Sequence, residues 1–113
     1  MLHPTVQSKL PVIKAFLLQH QVKRAHIFGS AVTGKFRPDS DIDLLVKFED
    51  KLTNSEYAHH FWSLYLELSK LLGHQVDLIT EDGLKNPYFI EELNETKIPI
   101  YEKEGEEVEK LMA

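Results

Sequence analysis

The stretch His26-Ile27-Phe28-Gly29-Ser30, followed after ten intervening residues by Asp41-Ile42-Asp43-Leu44-Leu45-Val46, decides how this chain is read. Lys23 to Phe28 reads as a short strand, with Ala25 and Ile27 on one side. Gly29-Ser30 ends it in a turn whose backbone N–H groups can hold a phosphate. A short helix is expected next, ending near Gly34. Asp41 to Phe48 reads as a second strand. Asp41 and Asp43, at i and i+2, then point to the same side and can share a metal ion, while Ile42 and Leu44 face the core. The unbroken Leu44-Leu45-Val46 run suits a strand covered on both faces or packed centrally.

Outward from this centre, Val6, Leu10, Ile13, Phe16 and Leu17 recur at helical spacing. Pro11 places the start of that helix near Ser8, because proline is tolerated in a first turn and disruptive later; a kinked helix from Pro4 is the alternative. Phe36 to Ser40 reads as a loop, with Pro38-Asp39 as its turn. Asn54 or Ser55 caps a long helix that Gly73 stops. Gln75 to Thr80 is a third strand. Pro87 opens a further helix through about Asn94. Ile98 to Tyr101 is a final short strand, placed at an edge by Pro99. The fold class expected is α/β (α+β): one domain over residues 1–113, with a small mixed sheet flanked by helices.

Composition narrows the function. The 113 residues carry a formal net charge of −5 and no cysteine. Acidic balance argues against non-specific binding of long DNA or RNA, where phosphate neutralisation supplies most of the affinity. Lys14, Lys23, Arg24, Lys35 and Arg37 cluster in the first third, which suits a small anionic ligand. Disulfides and thiolate metal sites are excluded, and a cytoplasmic location is the natural default. No apolar run approaches the roughly 20 residues that cross a bilayer, and the N-terminus does not read as a signal peptide.

Phosphoryl and nucleotidyl transfer need phosphates held, a nucleophile in line, and charge neutralised by a divalent cation. Magnesium keeps several waters, so one or two carboxylates per ion suffice. Asp41 and Asp43 meet that need. Asp77, within Val76-Asp77-Leu78-Ile79, can complete the cluster if the third strand lies beside the second, or accept the proton of an attacking hydroxyl. Taken singly, each residue has an ordinary reading: D-x-D in a turn, Ser30 as a helix cap, Asp77 as a strand residue facing water. Their joint pattern points to a magnesium-bound nucleoside triphosphate.

That pattern resembles the signature of the polymerase-beta-type nucleotidyltransferase superfamily, and within it the minimal nucleotidyltransferase (MNT) branch. The resemblance runs from the leading helix to Ile98-Pro99-Ile100-Tyr101-Glu102. It implies that Gly29 and Ser30 touch the triphosphate, that Asp41 and Asp43 bind Mg2+, and that Asp77 is the third catalytic and metal-binding carboxylate. ATP is the implied substrate. Many members of this branch pair with a HEPN-domain toxin as antitoxin, and some transfer AMP to a tyrosine of that toxin. A hetero-oligomer with a HEPN protein follows as an expectation. One position departs from the pattern: relatives often carry an arginine just before the next glycine, and here it is Thr33. A hydroxyl cannot replace a guanidinium's charge. Lys35 and Arg37 are the compensating phosphate ligands expected from the adjoining loop. The departure keeps a second reading open, a catalytically weak or inactive binding subunit that neutralises its partner by contact.

Phe61, Leu64, Leu68 and Leu71 supply a core stripe on the long helix. Trp62, Tyr65 and Leu66 widen it, either as extra core or as a docking face. The six histidines show no metal spacing and read as surface or satisfied residues. Tyr57, Tyr88 and Tyr101 read as packing residues.

Overall fold

The computed structural model describes residues 2–34 and 40–103. Its order is α1 (Pro4–Gln19), β1 (Val22–Phe28), α2 (Ser30–Thr33), β2 (Ile42–Phe48), α3 (Asn54–Leu72), β3 (Val76–Thr80), α4 (Pro87–Thr96) and β4 (Ile98–Glu102), with a 3-10 turn at Glu81–Gly83. The sheet runs β3-β2-β1-β4. β1 is antiparallel to β2 and to β4, whereas β2 and β3 are parallel. This is the small mixed sheet expected.

β2 has neighbours on both edges and apolar cover on both faces, which explains its unbroken hydrophobic run. Ile42, Leu44, Val46 and Phe48 enter the main core beneath α1 and α3, with Ala25, Ile27, Leu64 and Leu68. Leu45 points the other way, into a smaller cluster with Phe28 and Leu93. Parallel pairing of β2 with β3 requires a crossover, and α3 supplies it. Burial of Leu64, Leu68 and Leu72 holds that helix against the sheet.

Two helix starts differ from the first expectation. α1 takes the alternative start, Pro4, rather than one near Ser8, and carries Pro11 inside it. Val6, Ile13 and Leu17 are fully buried on one side of it, and that packing offsets the hydrogen bond a mid-helix proline removes. α3 is capped by Thr53, one residue earlier than expected. The Glu56 N–H donates to the Thr53 hydroxyl (3.2 Å), and the Thr53 N–H donates to the Glu56 carboxylate (2.9 Å). This is a reciprocal capping box. β4 lies at the sheet edge, as Pro99 requires.

The wider apolar face of α3 is not core. Trp62 and Leu66 are 60% and 64% exposed, and only Tyr65 packs against the interior. Tyr88, read as a packing residue, is 82% exposed. His20 is buried and satisfied: its Nδ1 meets His60 Nδ1 at 3.0 Å, and its Nε2 bonds Glu67. His26 corrects the expectation that every histidine is satisfied, since its Nδ1 is buried with no hydrogen-bond partner among the described residues. Burial, and then the nearby Lys97 ammonium, hold its pKa below the ordinary value.

Candidate functional site

The site forms where three strand positions fall in one row. Phe28, the last residue of β1, pairs with Asp43 near the start of β2, and Asp43 pairs with Asp77 near the start of β3. Parallel neighbours at equal register put their side chains on the same sheet face, with backbones about 4.8 Å apart. Asp43 and Asp77 therefore stand side by side. Ile42 and Leu44, on the opposite face, are fully buried and lock that orientation. Slipping either strand by one residue would turn its carboxylate into the core.

Gly29 closes the row at its β1 end. Its φ is 75°, and α2 begins at the next residue. A Cβ at Gly29 would collide with an Asp43 carboxylate oxygen and stand 3.2 Å from the carboxyl carbon. The glycine is thus required twice, for its backbone conformation and for the room it leaves Asp43. The Val32 N–H donates to the Gly29 carbonyl at 3.1 Å, and the His3 N–H donates to Ala31 at 3.0 Å, so the turn is tied to the start of α1.

Asp41 precedes β2 and is exposed. The residues on either side of it are fixed. His74 Nδ1 donates to the Ser40 carbonyl at 3.1 Å, and the Ile42 N–H donates to Gln75 at 2.9 Å. His74 is a positioning contributor that sequence reasoning missed; its place just after the Gly73 stop is the only signal that could have singled it out.

Asp43 carries the electrostatic mark of the site. Its pKa is raised from 3.8 to about 6, first by burial, then by the negative charges of Asp77 and Asp41. The strand register pairs Asp43 with Asp77, Asp41 is near enough to add its charge, and Asp43 is the one partly taken from water. Asp77 is exposed, facing away from the core although it lies within an apolar strand. Among the described residues, no group of three or more His, Asp or Glu side chains is placed to hold a metal ion. The arrangement is an open carboxylate pair with a third acid beside it. Such a donor set suits magnesium, which takes one or two carboxylates and fills its remaining positions with water and phosphate oxygens.

A cleft of about 290 Å³ opens on this row. Gly29, Asp43 and Asp77 line one side, and Phe89, Glu92 and Thr96 of α4 line the other. The Phe28 and Phe89 rings meet edge-on at 6.0 Å and form its apolar floor. Ser30 does not share this cleft. It lines a separate hollow with His3 and Val32. Lys35 and Arg37 lie outside the described residues. A larger hollow, about 720 Å³, sits between α1 and β4, far from the carboxylates in the sheet order.

Comparison with known proteins agrees with this geometry. Residues 10–100 match the nucleotidyltransferase domain family. A Methanocaldococcus jannaschii protein named "putative protein adenylyltransferase" is 35% identical over 80 residues, 71% of this chain and 78% of that protein. A toxin–antitoxin crystal structure with AMP-PNP superposes with a TM-score of 0.66 at 21% identity, covering 86% of this chain and 76% of its own. The structure of a tri-AMPylated Shewanella oneidensis HEPN toxin in complex with its MNT antitoxin gives 0.61 at 19% identity, with coverages of 89% and 76%. At these identities the two structures attest the fold.

Proposed function

The chain belongs to the nucleotidyltransferase domain family, in the polymerase-beta-type MNT group, and on that premise we propose that it is a Mg2+-dependent protein adenylyltransferase. It moves AMP from ATP to a hydroxyl, a tyrosine's, on a HEPN-domain toxin, and so acts as an antitoxin. The observation that carries this reading is the Phe28–Asp43–Asp77 row against Gly29, with Asp43 raised to about 6 by burial and its acidic neighbours. A carboxylate held half-buried among like charges is costly by itself and favourable once a cation joins it. The likeness to the AMPylated HEPN toxin–MNT antitoxin complex and to the adenylyltransferase relative supports a HEPN protein as acceptor.

In this mechanism Asp43 and Asp77, with Asp41 beside them, would hold the magnesium, which would neutralise charge on the triphosphate. Gly29 leaves the backbone open to a phosphate, and Ser30, Lys35 and Arg37 are the further phosphate ligands. Asp77 is exposed and lines the cleft walled by α4, where an acceptor hydroxyl would approach. Its carboxylate accepts the hydroxyl proton. The acceptor oxygen bonds the α-phosphorus, the α–β phosphoanhydride breaks, and pyrophosphate leaves.

The test is label transfer from radiolabelled ATP to the HEPN partner with Mg2+ present. The Asp41→Asn, Asp43→Asn double variant is expected to lose at least ~100-fold in rate. Equal labelling by the variant would overturn the proposal. One observation favours a second reading, a subunit that neutralises by contact: the exposure of Trp62 and Leu66 on α3. In that case Trp62→Ala weakens partner association, and the double Asp variant still neutralises.

A further inference from the structure

The wall of the cleft opposite the carboxylate row has no role in the reaction so far described. It is one face of α4. Phe89, Glu92, Leu93 and Thr96 recur at i, i+3, i+4 and i+7, and all four line the cleft. Leu93 is buried and anchors the helix. The Asn86 side chain caps it by accepting from the Tyr88 N–H at 3.0 Å. The wall is therefore a fixed surface rather than a loop.

Glu92 stands out on it. Its side chain is exposed and makes no hydrogen bond or ion pair with any described residue. It is not among the causes of the raised pKa of Asp43, which are burial and then the charges of Asp77 and Asp41. Glu92 thus faces the cleft from α4, in the wall opposite Asp43 and Asp77. No described lysine, arginine or histidine lines that cleft. One turn toward the N-terminus, at i−4 on the same face, Tyr88 projects into solvent. Helical side chains lean toward the N-terminus, so Tyr88 extends the rim that Glu92 begins.

Resting on the adenylyltransferase reading, we propose that Glu92 is a specificity residue of the acceptor side: it pairs with a lysine or arginine flanking the acceptor hydroxyl, while Tyr88 and Phe89 give that segment an apolar and cation–π surface. The sides of the cleft divide the work. The Gly29 end receives the triphosphate, so an acceptor enters beside Asp77, along α4. A segment entering there meets an uncompensated carboxylate, and a neighbouring cation is the complement that lowers its energy. An acidic flank meets repulsion instead.

The experiment compares two synthetic tyrosine peptides, identical except for lysine or glutamate flanks, with the HEPN partner as positive control. Initial rates of AMP transfer are measured for the wild-type chain and for Glu92→Lys. The wild type is expected to favour the lysine-flanked peptide by about tenfold in kcat/KM, the scale of one partly exposed ion pair gained against one repulsion avoided. Glu92→Lys is expected to erase or invert that preference. The ratio is insensitive to any loss of folded protein, which slows both peptides alike. Equal rates on the two peptides, an unchanged ratio in Glu92→Lys, or labelling of the partner with neither peptide labelled would each overturn the inference and leave the adenylyltransferase reading standing. Absence of label on the partner as well would overturn the reading itself.

Discussion

Replacing Asp43 with asparagine should make the metal-free protein more stable while abolishing its chemistry. The pKa of Asp43 rises from 3.8 to about 6 on folding, chiefly through burial. Each unit is worth about 1.36 kcal/mol, so the ionised carboxylate opposes folding by at most ~3 kcal/mol. Asp43 is only partly buried and its acidic neighbours are exposed. Solvent screening reduces the figure to roughly 1–2 kcal/mol. The sign follows from proton binding. Between pH 3.8 and about 6 the folded state holds more protons than the unfolded one. Stability therefore falls as pH rises through that window, and the penalty is complete above it. Asp43→Asn keeps the shape and removes the charge. Urea titrations in EDTA should show a gain of roughly 1–2 kcal/mol at neutral pH and none below pH 3.8. Magnesium should then stabilise the wild type and not the variant, by ~2.7 kcal/mol at a hundred times its Kd. An equal gain at both pH values, or a less stable variant at neutral pH, would refute the argument that this carboxylate is held at a cost for the sake of a cation.

Three further outcomes are expected. Gly29→Ala forces a Cβ into the Asp43 carboxylate at a φ of 75°; it should cost roughly 1–3 kcal/mol in thermal or urea unfolding and lower AMP transfer by ~100-fold, the scale of a displaced catalytic group. Thr53→Ala removes the capping box of α3 and should cost about 1 kcal/mol by chemical denaturation, with transfer activity per folded molecule unchanged. Trp62→Ala should leave the isolated chain within about 0.5 kcal/mol of wild type, because the ring is 60% exposed; calorimetric titration with the HEPN partner then reports whether α3 is a contact face.

The sheet and its acids were readable because strand alternation is a strict geometric rule. Once Ile42 and Leu44 belong to the core, Asp43 must face away from it. The unbroken Leu44-Leu45-Val46 run told of apolar cover on both faces of β2. The start of α1 was not readable from propensity, since Pro11 is tolerated only through burial of Val6, Ile13 and Leu17, a tertiary effect. The Thr53 cap was missed because three adjacent polar residues can all cap; the Glu56 that answers it selects one. Trp62 and Tyr88 misled for a related reason. Periodicity shows which residues share a helix face, and it does not show where the sheet stops covering that face. The α4 wall, Glu92 included, depends on how a helix late in the chain folds back over β1 and β2, which no local pattern encodes.

The parallel pairing of β2 with β3 has a consequence for the protein's first moments. Asp43 leaves the ribosome well before Asp77, and in the folded chain the two are joined through the whole length of α3, which lies between β2 and β3. A growing chain therefore displays the glycine turn and the first acids without their neighbour. Under the proposed function, the Asp43–Asp77 pair exists only once β3 is in place, so a chain that lacks β3 is expected to lack the site.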